Sequence, residues 1–205
     1  MQVLKYLLFF FAVVLPGSVC IAQGKWELKR NDNGIEVYTR EPVSGDLKEV
    51  RVVCILKTTK AQLIKTVQDI DNYKNWVYST KTNKILKVAS PQELIYYTIS
   101  TLPWPLKDRD LIVQLKILPS ASNDKFQIEA KSLPDYLPRK KDFIRAPYSL
   151  AIWNVTVLNE KELKVDYVFT VNPGGSVPAW AVNSTLTVGP YNSFLKLKVV
   201  LGKTN

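Results

Sequence analysis

Apolar and polar side chains alternate through most of this chain, and that period of two limits the fold more than any other feature. In the segment 47–57, Val50 and Val52 lie on one face of a predicted strand while Glu49 and Arg51 lie on the other. The same pattern recurs in the segments 85–88, 93–100, 110–118, 125–131, 143–159 and 163–171. Alternation of this kind is typical of strands that bury one face, and a succession of them favours an antiparallel sheet. The sequence therefore predicts one antiparallel, strongly bent sheet.

A first helix is predicted where the spacing changes. Apolar residues recur every three or four positions between Lys60 and Asp69, and polar residues fill the opposite face. Thr58 or Thr59 can cap this helix, because a threonine hydroxyl accepts a hydrogen bond from a free backbone N–H of the first turn.

A long apolar stripe follows the turn at residues 172–175 and runs to Leu197. Ser176 can cap a helix there, and Gly189-Pro190 interrupts the stripe, because proline removes a helical hydrogen bond. We therefore predict a kinked C-terminal helix of about 20 residues. The order of elements predicts an α+β fold in which the curved sheet wraps around this helix.

The first 22 residues have the layout of a secretory signal peptide. Lys5 supplies a positive charge, residues 7–15 are apolar, and Ala22 ends a small-residue cleavage site. An apolar run of about nine residues is too short to cross a bilayer, which takes about 20. We expect residues 1–22 to be a signal peptide, residues 25–205 to form the mature domain, and the protein to be exported to the periplasm or the cell exterior.

The sequence contains no histidine, which excludes Ser-His-Asp and Cys-His catalysis and the commonest zinc ligand. Glycine-rich phosphate loops and the Gly-x-Ser-x-Gly nucleophile motif are also missing. Removal of the leader would leave Cys54 as the only cysteine, so the mature chain could form no internal disulfide, and its alternating surroundings indicate a core residue. We predict no catalytic residues, no cofactor and no metal site.

The formal net charge of +10 comes from scattered basic residues, and residues 139–141 (Arg-Lys-Lys) are the one tight cluster. No basic stripe interleaved with aromatic residues marks a nucleic-acid-binding module, so we expect no nucleic-acid partner. The charge is consistent with attraction to an anionic membrane surface or with solubility alone.

Five segments carry a resemblance to a known family. The most distinctive is residues 102–110 (LPWPLKDRD), in which a proline-rich loop precedes an Arg-Asp pair. The others are residues 34–40 (GIEVYTR), 71–76 (DNYKNW), 143–145 (FIR) and 172–183 (NPGGSVPAWAVN). In their order and spacing they resemble START (steroidogenic acute regulatory protein-related lipid transfer) domains.

The resemblance implies a helix-grip fold whose curved sheet and final helix enclose one apolar cavity. Family members bind a single sterol, phospholipid, sphingolipid or similar amphipath there, and some carry it between membranes. Leu115 stands where sterol-carrying members have a cavity arginine, which argues against a sterol. A period of two does not reveal which strand face is inward. Choosing one face, we predict a lipid-binding cavity lined by Val113, Leu115, Phe126, Ile128, Val165, Tyr167, Phe169, Val182 and Leu186.

The loop of the resemblance also predicts a gate. Trp104 stands between Pro103 and Pro105, and its amphipathic ring suits the rim of the cavity or a transient contact with a membrane surface. Gly189-Pro190 is expected to loosen the final helix so that it can shift and admit a ligand.

Asp108, Arg109 and Asp110 form the one compact charged group in the sequence. Two interpretations stay open: a structural ion pair that braces the loop over the sheet, and a polar anchor for a lipid headgroup.

The resemblance favours a monomeric lipid-binding protein that is not an enzyme. A helix-grip scaffold can also carry an enzyme of the cyclase or hydrolase kind with a hydrophobic substrate, or serve as an interaction module without a ligand. Lipid that co-purifies with the protein would separate the first function from the last, and turnover of a bound molecule would reveal the enzyme.

Overall fold

The computed structural model describes residues 24–42, 47–102, 104 and 106–203. The predicted signal peptide lies outside these residues. Within them the elements are β1 (Glu27–Asp32), β2 (Ile35–Arg40), β3 (Glu49–Lys57), α1 (Lys60–Gln68), a 3-10 helix (Ile70–Asn75), β4 (Thr80–Ser90), β5 (Glu93–Ser100), β6 (Arg109–Pro119), β7 (Lys125–Ser132), β8 (Ile144–Arg145), β9 (Tyr148–Asn159), β10 (Glu162–Asn172), α2 (Ala179–Thr185) and α3 (Val188–Gly202).

All ten strands belong to one sheet, in the order β1-β2-β3-β10-β9-β7-β6-β5-β4, with β8 attached to β6. Every pair along this path is antiparallel, and the pairing of β8 with β6 is parallel. The sheet is curved and α3 packs on its inner face. The predicted α+β helix-grip architecture is therefore confirmed.

Helix α1 forms as the sequence indicates. The Thr59 side chain accepts a hydrogen bond from the backbone N–H of Gln62 at 3.1 Å, so it is the N-cap. Leu63 and Val67, one turn apart, are buried in the core, and the helix ends one residue before the predicted position.

Helix α3 fills the concave side of the sheet. Its buried residues Tyr191, Phe194, Leu197 and Leu201 recur every three or four positions and form one face of the helix. The Phe194 ring lies 4.9 Å from the ring of Trp153 in β9, between ring centroids. None of the helices in the described ranges has the length and apolar composition required to cross a membrane.

The break in the C-terminal helix is not where we predicted it. The interruption falls at Leu186 and Thr187, between α2 and α3, although both residues keep right-handed helical φ and ψ values, and Gly189-Pro190 lies inside the first turn of α3. Proline is tolerated there because the first backbone N–H groups of a helix have no partner in the helix. The cap was also wrong, since Pro178 occupies the N-cap position of α2 without a side-chain hydrogen bond.

The predicted strand at 143–159 is two strands. Ala146 and Pro147 separate β8 from β9, and proline has no N–H to give to a ladder. The two residues of β8 instead pair in parallel with the start of β6.

The segment 133–143 crosses the outer, convex face of the sheet, and we call it the crossover. Its ends, Leu133 and Phe143, pack against a second apolar cluster formed by Ile95, Tyr97, Ile99 and Ile112. The sheet therefore buries its outer face locally as well as its inner face.

Replacement of Phe194 by alanine tests the packing of α3. The ring is 2% exposed, so its loss should lower the free energy of unfolding by about 3–5 kcal/mol in chemical denaturation. Val199→Ala, on the exposed face of the same helix, is the matched control and should change it by less than about 0.5 kcal/mol. Equal effects of the two substitutions would contradict this packing.

Candidate functional site

The candidate site is the inner face of the sheet together with the two C-terminal helices. Eight of the nine predicted lining residues lie in or against a single apolar cluster on this face, so the chosen strand face is the inward one. Val182 lies half-buried on α2. Six of the eight are buried, namely Val113, Leu115, Phe126, Ile128, Val165 and Leu186, and two are partly buried, Tyr167 and Phe169. Their part in binding a ligand stays a prediction.

The inner face has a close-packed half and a more open half. Leu115 and Val165 belong to the close-packed half, and each is at most 2% exposed. Along β10 the inner residues then become accessible again, at Tyr167, Phe169 and Val171, although β10 runs between two neighbouring strands. The Tyr167 ring lies 5.2 Å from Phe194 of α3, and Phe169 and Val171 lie further toward the end of β10 that leads to α2.

Tyrosine hydroxyls bring polarity into this apolar interior without charge. Burial raises the pKa of Tyr73, Tyr96 and Tyr167, so each stays a neutral phenol at physiological pH. The Tyr73 hydroxyl donates to the carbonyl of Val67 at 2.5 Å, and its ring lies 5.5 Å from that of Tyr96.

Trp76 provides a hydrogen-bond donor that sequence reasoning missed. Its side chain is buried, and its indole N–H has no acceptor among the described residues. The ring lies 5.0 Å from Tyr73 and 6.3 Å from Trp153, in the core beneath the inner face. A buried donor left unpaired costs about 1–3 kcal/mol, so an acceptor oxygen on a bound molecule would be stabilised here.

The three charged residues at the start of β6 do not pair with one another. Asp110 accepts two hydrogen bonds from the guanidinium of Arg145, at 2.9 and 2.8 Å, and both side chains are 1% exposed. Asp108 pairs with Lys81 at 3.1 Å near the surface. The partner of Asp110 lies 35 positions along the chain, where sequence spacing gives no signal.

Arg109 is buried and contacts backbone oxygens instead of a carboxylate. It donates to the carbonyls of Pro173, at 3.1 Å, and Gly174, at 2.9 Å, and also to that of Lys107. No ion pair joins it to another described residue, and burial lowers its pKa. Arg109 therefore ties the loop before β6 to the segment that leads into α2, which is a bracing role without an ion pair.

Comparison with known proteins identifies this architecture. The START domain family matches residues 17–199. The chain belongs to the START domain family.

Individual relatives are similar over most of this chain. A Pseudomonas aeruginosa protein is 26% identical over 84% of this chain and 85% of its own length, and mouse phosphatidylcholine transfer protein is 26% identical over 83% and 80%. Human START domain-containing protein 10 is 27% identical, and the chain spans 58% of its length. The crystal structure of a STAR-related lipid transfer protein from Xanthomonas axonopodis superposes with a TM-score of 0.78 at 28% identity, covering 86% of this chain and 98% of that one.

Two tryptophans project from this START domain on either side of the Arg109 tie. Trp104, in the loop before β6, is 93% exposed, and Trp180, on α2, is 74% exposed. Pro103 and Pro105 lie outside the described residues. The prediction singled out Trp104 and missed Trp180, because a tryptophan on an apolar helical stripe is usually part of the core.

Removal of one partner from the buried pair should destabilise the fold strongly. Asp110→Ala or Arg145→Ala leaves an unpaired buried charge and should lower the free energy of unfolding by about 3–5 kcal/mol. The double variant should lose less than the sum of the two, as measured by denaturation in a double-mutant cycle. Lys81→Ala is the control, because its exposed ion pair is worth at most about 1 kcal/mol. Additive losses would show that the two side chains do not interact.

Proposed function

We propose that this START domain binds one lipid or similar amphipath between the inner face of the sheet and its C-terminal helices. The observation that carries the proposal is the return of accessible surface at Tyr167, Phe169 and Val171 beside a close-packed core. A ligand chain against these side chains would remove apolar surface from water, which is the main source of binding energy in such a site. Relatives named for the transfer of phosphatidylcholine and ceramide support this assignment.

Trp76 and the neutral tyrosines suit the polar part of an amphipath. The unpaired indole N–H of Trp76 would donate to an ester, amide or hydroxyl oxygen of the ligand. The interior tyrosines carry no charge at physiological pH, so they cannot form an ion pair with a charged headgroup. An uncharged oxygen-rich linkage region is therefore the chemistry we assign to this part of the site.

We propose binding, with transfer between membranes, and no chemical step. The sequence offers no histidine as a general base, and burial raises the pKa of the Cys54 thiol to about 12, so it stays protonated and unreactive. Within the described ranges no group of three or more metal-ligating side chains occurs. With the predicted leader, these features fit an exported monomer that meets membranes transiently.

The space beside Val171 gives a direct test of lipid binding. Val171→Trp should fill the open half of the inner face and lower the fraction of protein that retains lipid by about tenfold. A tenfold loss corresponds to only about 1.4 kcal/mol of binding free energy, which the competing side chain would remove. Native mass spectrometry of detergent-free protein measures the retained mass.

Val168→Trp is the matched control, because Val168 lies on the same strand and points to the opposite face. It should keep the bound mass of the parent. The proposal fails if the parent carries no lipid after exposure to vesicles, or if Val171→Trp folds and retains as much as the control.

We propose that α2 moves to admit the ligand while α3 stays fixed. The Tyr191 hydroxyl donates to Asp32 at 2.9 Å and accepts from the side chain of Asn33 at 2.9 Å, and Lys198 donates to the Asn33 carbonyl at 2.8 Å. These contacts fasten α3 to the turn between β1 and β2. Leu186 and Thr187 separate α2 from α3, and a hinge at these two residues would leave the contacts of α3 undisturbed.

Trp104 is proposed to touch the bilayer during this exchange. Trp104→Ala should slow the uptake of a fluorescent phospholipid from vesicles several-fold, because an exposed tryptophan favours the membrane interface, while the amount bound at equilibrium stays unchanged. Leu158→Ala, at an exposed apolar position at the end of β9, is the control and should leave the rate unchanged. Equal rates for the Trp104 variant and the parent would remove Trp104 from the exchange step.

A further inference from the structure

A groove on the outer surface, separate from the inner face, contains the strongest basic feature of the sequence. It has a volume of about 340 Å³ and lies where the crossover, β8 and the turn after β10 meet. We call it the basic groove, and its lining includes Arg139, Lys140, Phe143, Ile144, Gly174 and Gly175. None of the described residues that line it is acidic; Asp135 and Asp142 belong to the crossover but are not among these lining residues.

The crossover that carries these cations is held in one conformation by Arg145. Beside its pairing with Asp110, the Arg145 guanidinium donates to the backbone carbonyls of Pro134 at 2.7 Å and Leu137 at 3.1 Å. Arg145 is itself neutralised by Asp110, so the positive charge that the groove offers to a ligand comes from Arg139 and Lys140. The two cations therefore belong to a segment whose conformation is fixed by hydrogen bonds.

The floor of the groove is backbone. Gly174 and Gly175 have φ values of +66° and +72°, and a Cβ on Gly174 would lie 2.9 Å from the Pro147 ring. A side chain at either glycine would be strained and would crowd the groove wall, since Cβ on Gly175 would lie 3.0 Å from Ile144. The glycines thereby keep the groove open beside the cations.

The surroundings of the groove suit a bilayer. Tyr136, Leu137 and Tyr148, each more than a third exposed, stand on the crossover and just after Pro147. Tyrosine and lysine or arginine side chains together are typical of a surface that sits at the headgroup level of a membrane. An anionic headgroup would find two cations in the groove, and its neighbours in the bilayer would meet the exposed apolar rings.

We infer that the basic groove is a docking site for an anionic phospholipid headgroup of a bilayer. The headgroup phosphate lies between Arg139 and Lys140, while Tyr136, Leu137 and Tyr148 contact the interface around it. The site differs from the lipid site on the inner face and needs no lipid there. Vesicle binding and retained lipid are therefore independent measurements, and either proposal can fail without the other.

Vesicle sedimentation with matched charge variants tests the inference. The parent should bind vesicles of phosphatidylcholine with phosphatidylglycerol far better than vesicles of phosphatidylcholine alone. Arg139→Gln/Lys140→Gln should weaken binding to the anionic vesicles by about 30-fold, as expected for two basic residues at a membrane surface. Native mass spectrometry should show unchanged retained lipid, and thermal melting should show a folded protein.

Lys60→Gln/Lys65→Gln is the control, with the same change of net charge. Both lysines are exposed on α1, next to the end of β3 that lies away from the groove. The two pairs are also matched in ring contact: the Lys60 ammonium lies 5.0 Å from the centre of the Phe126 ring, and the Lys140 ammonium lies 4.4 Å from that of Tyr97. The control should weaken binding by less than about threefold. Equal losses for the two double variants, or no loss for either, would overturn the inference.

Inorganic phosphate separates a bilayer site from a site for a soluble anion. In amide NMR spectra, anionic vesicles should weaken the Gly174 and Gly175 signals, and millimolar phosphate should not shift them. A shift with phosphate that is abolished in Arg139→Gln/Lys140→Gln would assign the groove to a free anion. Binding of polyglutamate that is lost in that variant, together with equal binding of the parent to anionic and neutral vesicles, would assign it to an acidic peptide.

Discussion

The hydrogen bonds of two neighbouring arginines, Arg109 and Arg145, are the constraint on which the functional end of this domain depends. Arg145 is neutralised by Asp110 and holds the crossover through backbone carbonyls, whereas the partners of Arg109 among the described residues are all carbonyls. A buried guanidinium is costly unless its donors are satisfied, so these carbonyls are fixed in place by the charge they surround. The loop before β6, the crossover and the lead into α2 are thus all positioned from the first two residues of β6.

The inner face shows how one sequence pattern serves two purposes. Residues alternate along β10 in the same way from Leu163 to Val171, but Leu163 and Val165 are buried in the core while Tyr167, Phe169 and Val171 keep accessible surface. Which residues meet a helix is decided by where the helix breaks and by what fastens it. The contacts of Tyr191 and Lys198 with the turn after β1 fix α3 in position, and they leave the short α2 to cover the rest.

Local signals in the sequence were sufficient for most of the elements, whereas the period of two left the inward face undetermined. The alternation at 47–57 and the threonine before Lys60 act through neighbouring residues, and β3 and α1 end within one or two residues of their predicted positions. The errors arose where tertiary contacts decide. Pro190 alone predicts a break, yet it becomes a first-turn residue because α3 begins at Val188. Asp110 selects Arg145 over its neighbour Arg109, because β8 pairs with the start of β6 and places Arg145 opposite Asp110, and no short spacing in the sequence encodes that pairing.

The geometry around Arg109 also links the two proposed contacts with a membrane. Trp104 lies five positions before Arg109, and Trp180 lies five positions after Gly175, whose backbone forms the floor of the basic groove. A chain of five residues spans at most about 17 Å, so both exposed tryptophans lie within that reach of the arginine and the groove. A headgroup in the groove would rest against the segment that Arg109 holds, and the same guanidinium holds the carbonyl of Lys107 in the tryptophan loop. Arg109 thus joins the tryptophan loop to the segment that forms the floor of the groove. A membrane contact at the loop or at the groove therefore acts on both segments, and the second one leads into α2.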